Sequence, residues 1–515
     1  MTPEKRIWIA SLLSAGLMLL YLQVVAKQLP PPAKSQIKQP IAQESVTTIN
    51  RSSVPADNPH EETIFLESEK LKLEISKESA SIKRVTIKEF TQLSTGKSLT
   101  FGENSPVFFL KAGNRQPTWA LQQQSVGSAT WTTAIDAGID ATLTMTLEAQ
   151  NPTAAVSVAF TNSSNSKAEV PISVVTEWSR SDALTGRSNA LEAVLKTKKQ
   201  FAWQWEYLRY FGTGNSPKIV PRGTTMLTLS ERYFCESIKI FDGMTASILP
   251  VAGRGQSIAS ELSGTIGVDP GEQNSKTLSV YFGPRDFFRL RNAGFSDAFK
   301  IGMFSRIGLI LMVFLKGVAH LTHNYGSAII LLSIVVTLGF SPFTLMSIRS
   351  MRKMQTLQPR MDQLRKKYEK DPKKLNQEMF TLFKENKVSP LSGCLPMLLP
   401  LPIFFAIWSS ISHVIELRGQ QFLWIKDLSL PDHVATIPPA FQLNILPIIM
   451  AAAMFLQTKL SQKQMPTTDQ NTKIMTGPIM PIMFGLMFYQ LPSGLVLYWL
   501  TNSIGSILLY RAVKT

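Results

Sequence analysis

Thirty-seven consecutive residues, Ile474 to Tyr510, contain no Asp, Glu, Lys or Arg. As a single helix they would reach about 55 Å, far beyond the ~30 Å hydrocarbon core of a bilayer. Pro492-Ser493-Gly494 lies near the middle, so the run reads as two membrane spans, 474–490 and 494–510, joined by a tight turn. Other charge-free runs obey the same rule. Gly326 to Ile348, residues 396–415 and residues 441–458 are each long enough to cross. Ile7 to Ala26 comes after Lys5 and Arg6 and makes 1–26 an N-terminal anchor. A cleaved signal peptide ending near Val24 and Ala26 is the rival reading, although the run exceeds a usual signal core. Both readings export the chain beyond residue 26.

Between the anchor and the next span the pattern changes. Residues 27–60 are a linker in which Pro30-Pro31-Pro32, Pro40, Pro55 and Pro59 keep the chain extended. From 61 to 298 apolar residues alternate with polar ones: Leu71, Leu73, Ile75; Leu143, Met145, Leu147; Val156, Val158, Phe160. Period-two alternation with Gly, Asn and Pro punctuation predicts an antiparallel β-sandwich. Within 299–325, Ile307 to Leu315 is apolar but bounded by Arg306 and Lys316, too short to span. It predicts an amphipathic helix lying in the membrane interface, with a buried helix of the β-domain as the alternative.

The formal net charge of +17 admits a nucleic-acid reading. The location of the charge argues against it. With the N-terminus inside, the cytoplasmic segments are 1–6, 349–395, 459–473 and 511–515. Arg349 to Lys387 alone holds twelve Lys/Arg against five Asp/Glu, whereas the outer loop 416–440 has only Arg418 and Lys426. That is the positive-inside bias, so the basic excess is largely topogenic and no nucleic-acid recognition is expected. Met351, Met354, Leu357, Met361 and Leu364, then Leu375, Met379 and Leu382, recur at helical spacing. Residues 349–395 therefore predict a helical hairpin, disturbed at Pro359. Cys235 and Cys394 fall on opposite sides of the membrane and should not pair.

No metal, redox, nucleotide or serine-hydrolase motif occurs, and neither cofactor nor metal is expected. His320 and His323 are three apart and most simply sit at the interface. The predicted spans lack Asp, Glu, Lys and Arg entirely, which counts against an ion-coupled transporter. They do carry uncharged polar groups. Ser333, Thr337, Ser341 and Thr344 share one face of the second span. Tyr498, Asn502 and Gly505 share a face of the last span, with Gln490 and Asn444 on its neighbours. These groups either line a wet groove or bond their own preceding carbonyls and neighbouring helices.

The segment 326–510 carries a specific resemblance. Leu357-Gln358-Pro359, the run Asn386 to Pro396, Leu401-Pro402-Ile403-Phe404, Ile415-Glu416-Leu417-Arg418, Leu423 to Leu428 and, above all, Leu491 to Trp499 resemble the YidC/Oxa/Alb membrane insertase family. Arg232-Tyr233-Phe234 and Phe282-Gly283-Pro284 extend it weakly into the exported domain. The resemblance implies a bacterial inner-membrane protein with an N-terminal anchor, a five-helix core, a cytoplasmic hairpin and a periplasmic β-super-sandwich. It implies insertion and folding of nascent membrane proteins, alone or with the Sec translocon, through a polar groove open to cytoplasm and lipid. Ribosomes or targeting factors would meet the hairpin. It assigns Ser333, Thr337, Ser341, Gln490, Tyr498 and Asn502 to the groove lining, and Leu401, Pro402, Phe404, Met487 and Trp499 to contact with the substrate helix. The family usually holds a groove-facing arginine where this chain has Thr337, and the sequence stops at Thr515 without a long basic tail. The competing reading is a membrane-anchored periplasmic ligand- or carbohydrate-binding protein, for which the spans are too many and no paired carboxylates stand out.

Overall fold

The computed structural model describes residues 61–512 apart from 92–95, 103–106, 114–116, 180–190, 199–204, 212–217, 220–223, 242, 250–256, 300–304, 370, 387–400, 412–413, 438–440 and 464–478. The expected anchor, the linker, Cys394 and parts of the third and fifth spans lie outside the described residues.

Residues 63–284 form two nine-stranded antiparallel sheets. One runs Thr63–Glu67, Leu71–Ser76, Ile82–Thr91, Phe108–Ala112, Ala168–Ser179, Ser257–Val268, Thr245–Leu249 and Lys218–Ile219, with Ser98–Phe101 paired to Ile82–Thr91. The other runs Trp205–Phe211, Glu192–Lys198, Thr224–Ser230, Phe234–Lys239, Gln273–Pro284, Thr153–Asn162, Ile139–Leu147, Ser128–Asp136 and Ala120–Gln124. The alternating residues point inward: Leu71, Leu73 and Ile75 from the first sheet share one core with Leu143, Met145, Val156, Val158 and Phe160 from the second. Such burial contributes roughly 1.5–3 kcal/mol per large apolar side chain.

Eight helices come next among the described residues: α1 (Phe287–Asn292), α2 (Ser305–Thr322), α3 (Tyr325–Lys367), α4 (Pro372–Glu385), α5 (Leu401–Ile411), α6 (Ile445–Lys463), α7 (Met480–Phe488) and α8 (Ser493–Ala512). Of the described segments, Tyr325–Met346 is long and apolar enough to cross a membrane, and Ile307–Thr322 and Ile445–Leu460 are shorter apolar helices. α2 buries Met312, Leu315 and Val318 with the other helices rather than in the sandwich, and exposes Ile307, Ile310, Val313 and Leu321. The fourth expected span begins later than the charge-free run suggested. Phe441–Asn444 is a strand paired with His433–Ile437, because Asn444 is bonded to Tyr489 and the Asp432 carboxylate caps α6 by accepting from the Leu446 N–H at 2.7 Å.

Pro359 does not interrupt the hairpin helix; α3 continues through both Pro342 and Pro359 for 43 residues. A proline removes one N–H and leaves the carbonyl four residues back without its partner. For Pro342 that carbonyl belongs to Leu338, and the Ser341 hydroxyl donates to it at 2.7 Å. Around Pro359, packing of Met354 and Leu357 against Leu382 of α4 holds the helix. Asp371 caps α4 by accepting from the Lys374 N–H.

Contacts fix the directions of the bundle helices. Ile329 and Thr337 of α3 meet Gly494 and Gly505 of α8 in the same order, so these two run parallel. Met454 of α6 meets Trp499 of α8, and both helices start at the same end. Ile411, the last residue of α5, lies beside Gly494 at the start of α8, so α5 runs opposite. The end of α7 reaches the start of α6 through Tyr489 and Asn444, so α7 is also opposite.

Candidate functional site: an uncharged seam with a stitched end

The seam lies between α3 and α8. Glycine at 494 and 505 lets the helices approach closely: a Cβ at Gly505 would stand 2.9 Å from Thr337 Cγ2, and one at Gly494 would stand 3.1 Å from Ile329 Cδ1. Along α3 the hydroxyls of the polar stripe are satisfied on their own helix. Ser333 donates to the Ile329 carbonyl and Thr337 to the Ser333 carbonyl, both at 2.7 Å, and Thr344 donates to the Phe340 carbonyl at 3.1 Å. Across the seam, the Asn502 amide donates to Thr337 Oγ1 at 3.3 Å. Tyr498 is fully buried, and its hydroxyl has no partner among the described residues. In a medium without water such a group costs of order 1–3 kcal/mol unless something wets it.

The structure therefore brings together Thr337 and Asn502 and buries Ser333 and Tyr498 in the same core. Ser341 serves the Pro342 break in the same α3 helix. Gln490 stands apart, exposed on the turn between α7 and α8. The residues predicted to meet a substrate helix also divide. Met487 is exposed, on a face of α7 shared with Ile482, Met483 and Leu486. Phe404 is 4% exposed and turned inward, within an aromatic cluster with Trp499 at 4.9 Å and Phe488 at 5.5 Å. Trp499 itself stacks on Phe484 at 5.8 Å. Leu401 and Pro402 open α5, and their side chains lie outside the described residues. The outward apolar residues of α5 are Phe405 and Trp408. The helical spacing of Phe404, Ile407 and Ile411 is the signal that would have separated the inner face from the outer one.

At the end where α3, α6 and α8 begin, the loop 414–432 seals the bundle. Its Leu430 and Leu428 carbonyls accept the Ser493 and Gly494 N–H groups at 2.8 and 2.9 Å. Asp432 holds the start of α6, and the Gln421 carbonyl accepts from the Asn324 amide at 3.4 Å. Asn324 caps α3 by accepting from the Ser327 N–H, a start signal legible in Asn ahead of an apolar run. The same loop grips the sandwich. Lys316 of α2 lies 2.7 Å from both Asp286 of the sandwich side and Glu416 of the loop. Burial pulls the Lys316 ammonium down, but Glu416 and Asp286 outweigh it and its pKa lies above the usual lysine value. Arg418 donates to the Thr91 carbonyl at 2.9 Å, Arg232 to the Ser429 carbonyl at 3.3 Å, and Ile415 is buried in the sandwich core. Among the described residues no group of three or more His, Cys, Asp or Glu side chains could hold a metal ion.

A β-sandwich joined to a helical bundle whose apolar helices meet at a charge-free seam has the make-up of a membrane protein with a large extramembrane domain. The family described as 60Kd inner membrane protein matches residues 317–515. The membrane protein insertase YidC of Geobacter sulfurreducens is 30% identical over 465 residues, covering 84% of this chain and 82% of that one. The insertase of Syntrophobacter fumaroxidans is 41% identical over 242 residues, 46% of this chain and 43% of that one. The chain belongs to the YidC family of membrane protein insertases. Among solved structures, an active YidC insertase shares 20% identity over 90% of this chain and 94% of its own, with a TM-score of 0.38. A galactose mutarotase-like protein from Lactobacillus casei shares 12% identity over 43% of this chain and all of its own, with a TM-score of 0.34.

Proposed function

We propose that this chain inserts and folds membrane proteins in the inner membrane, with α3, α5, α6, α7 and α8 crossing the bilayer and the sandwich in the periplasm. The alternating helix directions support this topology, as does the basic charge of the hairpin at the opposite end from the loop 414–432. A short polar segment of the substrate enters from the cytoplasmic side beside the α3–α8 seam, where hydroxyl and amide groups lower its desolvation cost. The substrate's apolar helix lies along Phe405 and Trp408 of α5 and Ile482, Met483, Leu486 and Met487 of α7. The sealed outer end stops aqueous leakage while the exported segment passes. No covalent bond changes, so no residue is assigned a catalytic role. The basic hairpin of α3 and α4 is the docking point for ribosomes or targeting factors, and the Sec translocon is the partner for longer substrates.

The observation that carries this reading is the combination of a charge-free seam with a stitched outer end. Reconstitution of the purified chain in liposomes with a single-span substrate tests it, scored by protease protection of the exported tail. Protection above protein-free liposomes is the expected outcome; its absence beside a working relative overturns autonomous insertion. Thr337→Arg should increase insertion of substrates with acidic exported tails relative to neutral ones. An unchanged ratio removes Thr337 from substrate selection.

A further inference from the structure

The loop that seals the outer end also carries a feature that sealing does not require. Phe422 and Ile425 exchange both backbone hydrogen bonds, each 2.9 Å, and so close a two-residue turn whose tip is Leu423-Trp424. Leu423 has φ +52, the left-handed region that glycine and asparagine adopt readily and a bulky side chain does not. It is also 75% exposed, and Trp424 is 42% exposed. A turn selected only for geometry in water would carry Asn or Gly at the first position and a polar residue at the second. Here strain and apolar exposure are both retained at one tip, the pattern expected where the surroundings reward the side chain.

The base of the turn is rigid and its level is defined. The Phe422 ring occupies the space where a Cβ on Gly326 would fall, 2.1 Å from Phe422 Cγ, and Gly326 is the second residue of α3. Ile425 is buried in the helical core. The Trp424 indole N–H donates to Asp432 Oδ2 at 3.3 Å, and Asp432 also caps α6. The polar edge of the indole is thus satisfied by protein, and its apolar surface faces outward. The tip stands where the apolar parts of α3 and α6 begin, near the end of α2 where Leu321 is 80% exposed. The neighbouring Gln421 and Lys426 are exposed polar groups of headgroup character. Indole rings with one satisfied polar edge concentrate at this depth in membranes.

We propose that the Leu423-Trp424 turn inserts into the outer-leaflet interface of the membrane and sets the depth at which the loop 414–432 sits. The occupant is the glycerol and upper acyl region of the lipid, continuous with the apolar face that α2 exposes. This rests on the reading that the bundle spans the bilayer with this loop outside.

The test uses the full chain in proteoliposomes, with Cys394→Ser and the fully buried Cys235 left in place. An environment-sensitive fluorophore is attached in turn at Leu423→Cys, at Leu338→Cys on the exposed side of α3 and at Val126→Cys on the sandwich surface. Lipids carry a quencher either near the headgroup or deep in the acyl chain. The expected result is a blue-shifted probe at 423 quenched by the shallow quencher more than the deep one, deep quenching at 338, and none at 126. A probe at 423 that behaves like 126 while 338 is quenched overturns the proposal and leaves the spans standing. No quenching at 338 overturns the membrane-spanning reading, and the proposal with it. A probe at Trp424→Cys, with Leu423 intact, repeats the measurement should the first substitution lower yield, and the same outcomes decide it.

Discussion

The sandwich and the bundle solve the same problem, the burial of polar groups, by opposite means. The sandwich buries charge and pairs it: Arg285 and Glu192 form an ion pair, the guanidinium side chain only 2% exposed. It even buries Glu236, whose carboxyl accepts from the Thr176 hydroxyl and has its other oxygen unpartnered among the described residues. The bundle seam has no charge and returns hydroxyls to their own helix, with Asn502 bonded across it to Thr337. The difference arises from the surroundings of each region. A sandwich folding in water can bring an ion to its partner as the core closes, as with Arg285 and Glu192, whereas a helix in lipid takes its partners from its own backbone or from a neighbouring helix.

The sharpest break in the comparison is Arg285→Met. It removes the guanidinium partner of a buried carboxylate, and the expected loss is about 3 kcal/mol or more, read as a lower denaturant midpoint of the full chain in detergent. The sheet signal should melt early while the helical signal of the bundle persists; simultaneous loss of both would show that the two regions unfold as one.

Glu236 sharpens the contrast through pH. Burial pushes its carboxyl up to about 8 from the ordinary 4.5. Between those values the folded state holds a proton that the unfolded state has released, so stability falls as pH rises and levels off above about 8. Over that window the effect is on the order of a few kcal/mol. Glu236→Gln removes the titration, and melting temperatures at pH 5 and pH 8 should converge. A slope unchanged in the variant would mean another group carries it.

The smallest effect is expected in the seam. Thr337→Val keeps the volume against Gly505 and deletes the acceptor for Asn502. Interhelix bonds of this kind average about 0.6 kcal/mol in membranes, so the shift in unfolding should be slight. A loss of several times that size would show that the crossing bond, rather than helix packing, holds α3 to α8.

The two regions also differ in how much of each is legible in the sequence. Alternation places the strands closely: the run from Lys70 to Ile75 is the strand Leu71–Ser76, and Ala141 to Leu147 lies within Ile139–Leu147. Strand partners are not legible, because period two says which face a residue takes and nothing about its neighbour. In the bundle, missing charge marks the apolar stretches but not their edges. Phe441–Asn444 is as uncharged as residues 445–458 that follow it, and only the distant Tyr489 and Asp432 make it a strand and a cap. Pro359 misleads because a local helix breaker says nothing of the packing of α4 behind it. For the site, the hydroxyl stripe on α3 is visible, and the i, i+3, i+7 spacing of Phe404, Ile407 and Ile411 separates Phe404 from the adjacent, outward Phe405, whereas the aromatic partners of Phe404 on α7 and α8 are not legible. The closure by the loop 414–432 rests largely on the Leu428, Leu430 and Gln421 carbonyls, which every residue has, so beyond the Asn324 cap no side-chain motif announces it.

The unbroken run of α3 has a mechanical corollary. At about 64 Å it is a single rod that starts under the loop 414–432, passes the Thr337 seam and ends in the basic hairpin. Loads applied at the hairpin are delivered to the far end without an intervening joint. The softest point along its apolar half is Pro342, where one backbone bond is replaced by the Ser341 hydroxyl. That side chain acts as a splint: it occupies the carbonyl that the proline leaves open, at the point between seam and hairpin where the rod has lost a backbone bond.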